Sequence, residues 1–289
     1  MVAALTLSAV TTAEAELIEA HYGRLTGHLE GNLLSEAYYR GTQRVRQLGI
    51  ALPDHIAGRI ETIVGWPEVG VNTLKQRVKL TGFSLPGGAL GSLGLDDVLA
   101  QNEYLAESRV ATLDELIYGL TFAAVSDGDS DEPHPLVTWE PPTRMTAMWD
   151  HRKRRISSAC GFSFGDAGQV ERATLMTDDW TVIVDQVVDR LTHRREWVLW
   201  DRRPNRYGEV AVVPFVNRRR SGRAWGSSEI TPAWRSVTDS AVRTMLGMEV
   251  SREFHSSPQR YALNVSEDAF TDAEGNPVPA WEALLGRVW

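Results

Sequence analysis

Apolar residues recur at helical spacing through the first third of the chain. Leu17, Ile18, Leu25 and Leu29 fall at mixed three- and four-residue intervals behind Thr11 and Thr12, either of which can cap a helix. Gly27, Gly31, Gly41, Pro53 and Pro67 then predict that the region is cut into short helices. A glycine-rich loop from Leu80 to Leu95 leads to Asp96, a candidate helix cap. Val110, Leu113 and Ile117 predict a helix over Leu105 to Tyr118 that stops at Gly119. At Leu120 the pattern changes to alternation. Candidate strands are Thr121–Val125, Leu136–Glu140, Ile156–Phe164, Val170–Met176, Trp180–Val184, Glu196–Trp200 and Val210–Val216. Turn residues such as Gly165-Asp166, Gly168 and Pro204-Asn205 separate them. Thr231-Pro232 forms an N-cap and first-position pair, and no further proline occurs through Phe254. One helix of about 23 residues, roughly 35 Å long, is expected there. The tail from Ser256, with Pro258, Pro277 and Pro279, reads as short strands around a turn. Helices, then strands, then a long helix predict an α+β protein.

The long helix has an unusual distribution of side chains. At 100° per residue, Trp234, Val237, Ala241, Met245 and Met248 form one apolar arc; Val242, Leu246, Val250 and Phe254 form a second. Ser236, Ser240, Thr244, Gly247 and Ser251 gather into a small-residue arc of about 80°. Arg235, Asp239 and Arg243 follow at i, i+4 and i+8. A surface helix carries one apolar stripe and a charged back; this one reads as touching neighbours on several sides, which favours an oligomer. The plainer alternative is a broad core stripe with Ser and Thr facing water.

Composition narrows the function classes. The 289 residues are 43% hydrophobic and 24% charged, with 30 Lys+Arg against 38 Asp+Glu and a net charge of −8. That excludes a wholly basic nucleic-acid binder but not a local basic surface. Such a surface has a location: His151 to Gly226 holds fifteen basic and nine acidic residues. It contains the clusters Arg152-Lys153-Arg154-Arg155 and Arg218-Arg219-Arg220. These suit phosphate contacts, or are solvated strand ends and partners for acids of a neighbouring subunit. The lysines, Lys75, Lys79 and Lys153, are never followed by Ser or Thr, so no Walker A loop exists. Cys160 is the sole cysteine, which fits a reducing compartment. No basic residue precedes the apolar start, Met1 to Val10, so a signal peptide is not expected, nor is a membrane span.

Catalytic patterns are sparse. Gly161-Phe162-Ser163-Phe164-Gly165 has the GxSxG form, with Asp178, Asp185 and His193 downstream. A nucleophile elbow needs a helix straight after the serine; here a turn and another strand are expected, so the match reads as a hairpin. Asp127, Asp129, Asp131 and Glu132 resemble a calcium loop, but Glu132 stands where glycine is needed and Thr138 where the bidentate Glu belongs. The histidines show no HExxH spacing. No catalytic residue, metal or cofactor is expected.

Several segments together resemble the portal proteins of tailed bacteriophages, in the branch common among phages of actinobacteria. They are Tyr38-Tyr39-Arg40-Gly41 with Leu48-Gly49-Ile50, then Val64-Gly65-Trp66-Pro67. Ala106-Glu107-Ser108, Leu113-Asp114, Tyr118-Gly119 and Val213-Pro214-Phe215-Val216-Asn217-Arg218 follow. Ser228-Glu229-Ile230-Thr231 precedes the long helix, and Ser257-Pro258-Gln259-Arg260-Tyr261, Gly275-Asn276-Pro277 and Ala280-Trp281-Glu282-Ala283 come after it.

The resemblance implies a non-enzymatic subunit of a twelve-membered ring at one capsid vertex, in the virion and, during assembly, the host cytoplasm. Double-stranded DNA passes through its axis. Implied partners are the terminase large subunit, head-completion or tail adaptor proteins, and the major capsid and scaffolding proteins. Residues 1–226 correspond to a wing, 227–255 to a stem helix and 256–289 to the start of a clip, with the returning stem helix, tunnel loop and crown expected further on. Asp239, Arg243, Glu249, Arg252 and Glu253 are stem or channel candidates, and Gln259 and Arg260 are candidates for docking the motor. An acidic channel lets DNA slide, because Lys and Arg contacts hold phosphate. The alternative reading is a nucleic-acid-binding module built on the Arg-rich section 151–226.

Overall fold

The computed structural model describes residues 9–43, 62–84, 93–128, 130–188 and 195–256. The chain divides into two compact units, Met1–Gln43 with Gly65–Pro232, and Arg44–Val64 with Ala233–Trp289. Mixed helix and antiparallel sheet make it an α+β protein.

In the first unit the helices are α1 (Thr12–Arg40), α2 (Trp66–Arg77), α3 (Leu95–Gln101) and α4 (Tyr104–Tyr118). The strands are β1 (Leu120–Ser126), β2 (Leu136–Glu140), β3 (Met145–Asp150), β4 (Arg155–Phe164), β5 (Val170–Met176), β6 (Trp180–Val188), β7 (Arg195–Pro204) and β8 (Val212–Val216). Three strands pair antiparallel in the order β2-β1-β8, and five form the meander β3-β4-β5-β6-β7. The long β1–β8 connection leaves room for the whole meander between two paired strands. Phe122, for example, lies opposite Glu140 on one side and Pro214 on the other.

Two expectations for the helical part are corrected. The region is not cut at Gly27 and Gly31: α1 runs 29 residues through Gly23, Gly27 and Gly31. Helix-interior glycine costs about 1 kcal/mol, and tertiary burial outweighs it here. Ile18 and Leu25 pack into the core of β4, β5 and β6 with Phe162, Leu175 and Val184. Near the other end Tyr38 joins Val71, Leu116, Ile117 and Ile230 in a second core. Asp96 is not a cap but a first-turn residue of α3, whose N-cap is Gly94. The helix still gains from it, since carboxylates in a first turn oppose the positive end of the dipole.

Thr11 caps α1 in a capping box. Its Oγ1 accepts from the Glu14 amide (3.3 Å) and its own amide donates to Glu14 Oε2 (2.8 Å). Glu14 also pairs with Arg202 of β7 at 2.6 Å, so the helix start is tied to the meander. A third core lies between the two sheets, with Phe122, Ala124 and Val212 against Met145, Ala147, Ile156 and Ala159. The strand β3 had no expectation: its start is buried on both faces, Met145 and Ala147 on one and the polar Thr146 on the other, so no alternation shows.

One buried polar cluster links α1 to the meander. His21 is completely buried, with Nδ1 2.9 Å from Thr146 Oγ1 and Nε2 2.9 Å from Ser158 Oγ. The Thr146 hydroxyl donates to the His21 carbonyl at 3.4 Å. The assignment that satisfies all three groups makes Nδ1–H the donor to Thr146 and Nε2 the acceptor from Ser158. Burial, helped by the Arg24 charge, lowers the imidazole pKa to about 4.

The helix expected from Pro232 to about Phe254 is α5 (Pro232–Ser256). The tail expected to hold short strands lies outside the described residues.

Candidate functional site

A junction forms where three segments of the first unit meet. The last carbonyls of any α-helix lack intrahelical donors, and at the end of α4 the following chain supplies them. Glu229 donates its amide to Leu116 (2.9 Å), Ser228 Oγ donates to Ile117 (2.5 Å) and the Asn217 amide donates to Gly119 (3.1 Å). Asn217 Nδ2 donates to both the Ser227 carbonyl (3.0 Å) and Glu229 Oε1 (2.9 Å), while Arg218 holds Glu229 Oε2. Close approach demands glycine at two places. Gly119 has φ 88° and a Cβ there meets the Ser227 backbone at 2.5 Å; a Cβ on Gly226 falls 1.8 Å from the Asn217 carbonyl oxygen. Ile230, fully buried, locks the segment into the helical core. The chain is thus fixed up to Pro232, the first residue of α5. Periodicity assigned Asn217 and Glu229 no role; the available signals were the isolated Gly119 and Gly226.

Along α5, Thr238, Val242 and Leu246 are buried at four-residue spacing. The small-residue arc, Ser236, Ser240, Thr244, Gly247 and Ser251, is exposed throughout. So is most of the adjoining apolar arc: Val237 is 57%, Met245 46% and Met248 66% exposed. Two of the hydroxyls on the small-residue arc are satisfied within the helix: Ser240 donates to the Ser236 carbonyl and Thr244 to that of Ser240, both at 2.9 Å. That leaves a face of small side chains, two of whose hydroxyls already have partners in their own helix. Asp239 and Glu249 are half-buried and Arg243 and Arg252 exposed, with Arg252 paired to Glu249 at 2.6 Å and Arg243 donating to Ser240 Oγ at 3.2 Å. Glu253 lies on the helix, but its side chain, together with Gln259 and Arg260, falls outside what the structure describes.

The two basic clusters, 63 residues apart between Arg155 and Arg218, are brought side by side. Arg152, Lys153 and Arg154 occupy the exposed β3–β4 turn, and the Arg219 guanidinium lies 4.7 Å over Trp149 at the end of β3. Two members serve the fold: Arg155 pairs with Asp178 and Glu209, and Arg218 with Glu229.

Ser163 lies on β4 opposite Arg172 of β5, and the chain returns through a tight turn closed by the Gly165 and Gly168 amides. No helix follows, so the elbow geometry is not formed. Asp185 is engaged by Arg172 at 2.7 Å, and His193 lies outside the described residues. Among the described residues no group of three His, Cys, Asp or Glu side chains is placed to hold a metal ion, and no helix is long and apolar enough to cross a membrane. Cys160 is buried, and burial raises its thiol pKa.

No family-level profile matches the chain. It is 29% identical over 260 residues to the portal protein of Mycobacterium phage L5, covering 87% of this chain and 52% of that protein. The portal protein of Mycobacterium phage D29 gives the same identity and coverage. The chain is a relative of bacteriophage portal proteins, the family its sequence resembles, and it spans about half the length of these two.

Proposed function

We propose that this portal-protein relative is a structural subunit of a ring at one vertex of a phage capsid, through which double-stranded DNA enters and leaves. The observation that carries the reading is α5. One helix buries a narrow side and leaves two adjoining faces, one apolar and one of small residues, free for neighbouring copies. In a closed ring every subunit meets a copy on each side through different patches, which is what two open faces of different chemistry suit. On this reading residues 1–226 form the wing, 227–255 the stem helix and 256–289 the start of the clip. Asp239, Arg243, Glu249, Arg252 and Glu253 are then the stem charges nearest the channel, and Gln259 and Arg260 contribute to docking the packaging motor. The terminase large subunit, head-completion or adaptor proteins, and capsid and scaffolding proteins are the partners, and the virion is the location. No covalent step is needed from this chain, because translocation is driven by a separate ATPase.

Light scattering on a sizing column tests this directly. Twelve copies of a 32.1 kDa chain give a species near about 385 kDa; a clean monomer at micromolar concentration refutes self-assembly through α5. Gly247→Leu sharpens the test. Gly247 is exposed and, beyond the helix's own backbone and the adjacent residues, no atom among the described residues lies within 4 Å of a Cβ there, so a leucine pointing to solvent is expected to favour the helix of a single copy by about 1 kcal/mol. The expected result is an intact, folded chain with the high-mass species lost.

A further inference from the structure

We infer that the arginine-rich surface between the β3–β4 turn and the loop after β8 binds the phosphodiester backbone of nucleic acid without reading its bases. The inference does not depend on the ring: it concerns a face of the first unit and stands on that unit's own geometry.

Four observations carry it. The first is an excess of positive charge without ion-pair partners. Arg152, Lys153, Arg154, Arg219, Arg220 and Arg223 are all exposed, and among the described residues no carboxylate pairs with any of them. The nearest acid in sequence, Asp150, gives its Oδ1 to the amides of Arg152 (2.8 Å) and Lys153 (3.0 Å), which shapes the turn; it feels the Lys153 charge but forms no ion pair with it.

The second is a like-charged pair held together by the backbone. Arg220 and Arg223 form an antiparallel bridge closed by Gly222 at φ 79°, with the Arg223 amide donating to the Arg220 carbonyl at 3.0 Å. Like charges directly opposite across a ladder repel, and an anion between them turns that repulsion into attraction.

The third is the conformation of the basic segments. Arg154 and Arg218 have φ of 55° and 52°, a region unfavourable for a side chain with a Cβ. Each basic cluster therefore contains an arginine at a turn position where glycine or asparagine is the easier choice.

The fourth is how the aromatic rings are used, and it selects the ligand. The Arg219 guanidinium stacks 4.7 Å over Trp149 and that of Arg24 lies 5.5 Å over Trp225, the two indoles meeting edge to face at 6.2 Å. Arg24, the two indoles, Arg223 and His151 line an open depression of about 430 Å³. A guanidinium over an indole face keeps its N–H groups in its own plane, where they can reach phosphate oxygens. Each ring already carries an arginine, so stacking of bases is not its task. Contact is with phosphate, and recognition is independent of sequence.

The test is anisotropy of a labelled 20-base-pair duplex titrated with the full chain between 50 and 200 mM salt. Four phosphate contacts give a slope of log K against log salt of about −3.6, a fall of about 150-fold across that range. Duplexes of unrelated sequence are expected to bind within about twofold of one another. Arg152→Gln/Arg154→Gln/Arg219→Gln/Arg220→Gln is expected to reduce the slope by about 3.6, and the milder Arg152→Gln/Lys153→Gln, confined to an exposed turn, by about 1.8. Arg77→Gln/Arg109→Gln, removing two charges on α2 and α4, leaves binding unchanged. Absence of binding at 50 mM salt overturns the inference, as does a turn variant that binds like the parent. Displacement of the duplex by poly-glutamate at equal charge concentration also overturns it, because an acidic protein is then the better partner.

Discussion

Replacing His21 separates a buried hydrogen-bonded imidazole from ordinary acid sensitivity. An unfolded histidine titrates near 6.5, whereas burial and the Arg24 charge hold His21 at about 4 in the folded chain. The folded state therefore favours the neutral ring. Its contribution is fully present above pH 6.5 and is lost as pH falls toward 4. At about 1.4 kcal/mol per pKa unit the full loss is about 3 kcal/mol, of which about 2 kcal/mol is gone by pH 5. The structure gives the mechanism: on protonation Nε2 becomes a donor, so the Ser158 hydroxyl, which donates to it, must turn away while the new charge stays without water. Urea unfolding of the parent and His21→Gln at intervals from pH 7.5 to 4.5 measures this. The variant is expected to be less stable at pH 7.5 and to lose less stability on acidification, so the difference between the two curves shrinks by about 2 kcal/mol at pH 5. Parallel pH curves for the two proteins would refute the reasoning, because every other titrating group cancels in the difference.

Other expectations concern single positions. Gly226→Ala pushes a methyl group to within 1.8 Å of the Asn217 carbonyl; it is expected to lower stability by about 2 kcal/mol or more in urea unfolding, since backbone on both sides must move. Gly27→Ala has the opposite sign: the position is helical and, beyond the helix's own backbone and the adjacent residues, no atom among the described residues lies within 4 Å of the added carbon, so a gain of about 1 kcal/mol is expected from helix propensity. Asp114 is raised to about 6 by burial and by Glu36, with Lys75 opposing. Its carboxylate disfavours the folded state increasingly as pH rises from 4 to 6, so Asp114→Asn is expected to stabilise the chain at pH 8, by about 2 kcal/mol, and to change little at pH 4.

Much of the β part was legible because its burial follows local alternation. Leu136–Glu140 and Val170–Met176 emerge with the bounds their pattern predicts, and α5 begins at the proline that marks it. The pattern failed where a polar side chain takes a core position. Along α1 the buried residues are Ile18, His21, Leu25, Ser35 and Tyr38; two of the five are polar, so the apolar stripe is broken in sequence although the face is continuous in space. The exposed glycines of α1 read as breaks for the same local reason, while the packing of Ile18 and Leu25 that overrides them comes from strands more than a hundred residues away. The candidate site divides the same way. The open small-residue and apolar arcs of α5 follow from 100° steps along one helix, and the basic clusters from composition. Their juxtaposition does not: that Arg219 covers Trp149, and that Asn217, Ser228 and Glu229 satisfy the last carbonyls of α4, depends on a β1–β8 pairing that brings residues about a hundred positions apart into hydrogen-bond reach. Local propensity and periodicity act over a turn or a strand, so the sequence by itself determined the elements, their faces and the family resemblance. Only the tertiary structure decided which unpaired backbone groups, buried rings and unbalanced charges meet, because those are satisfied by partners that no local pattern names.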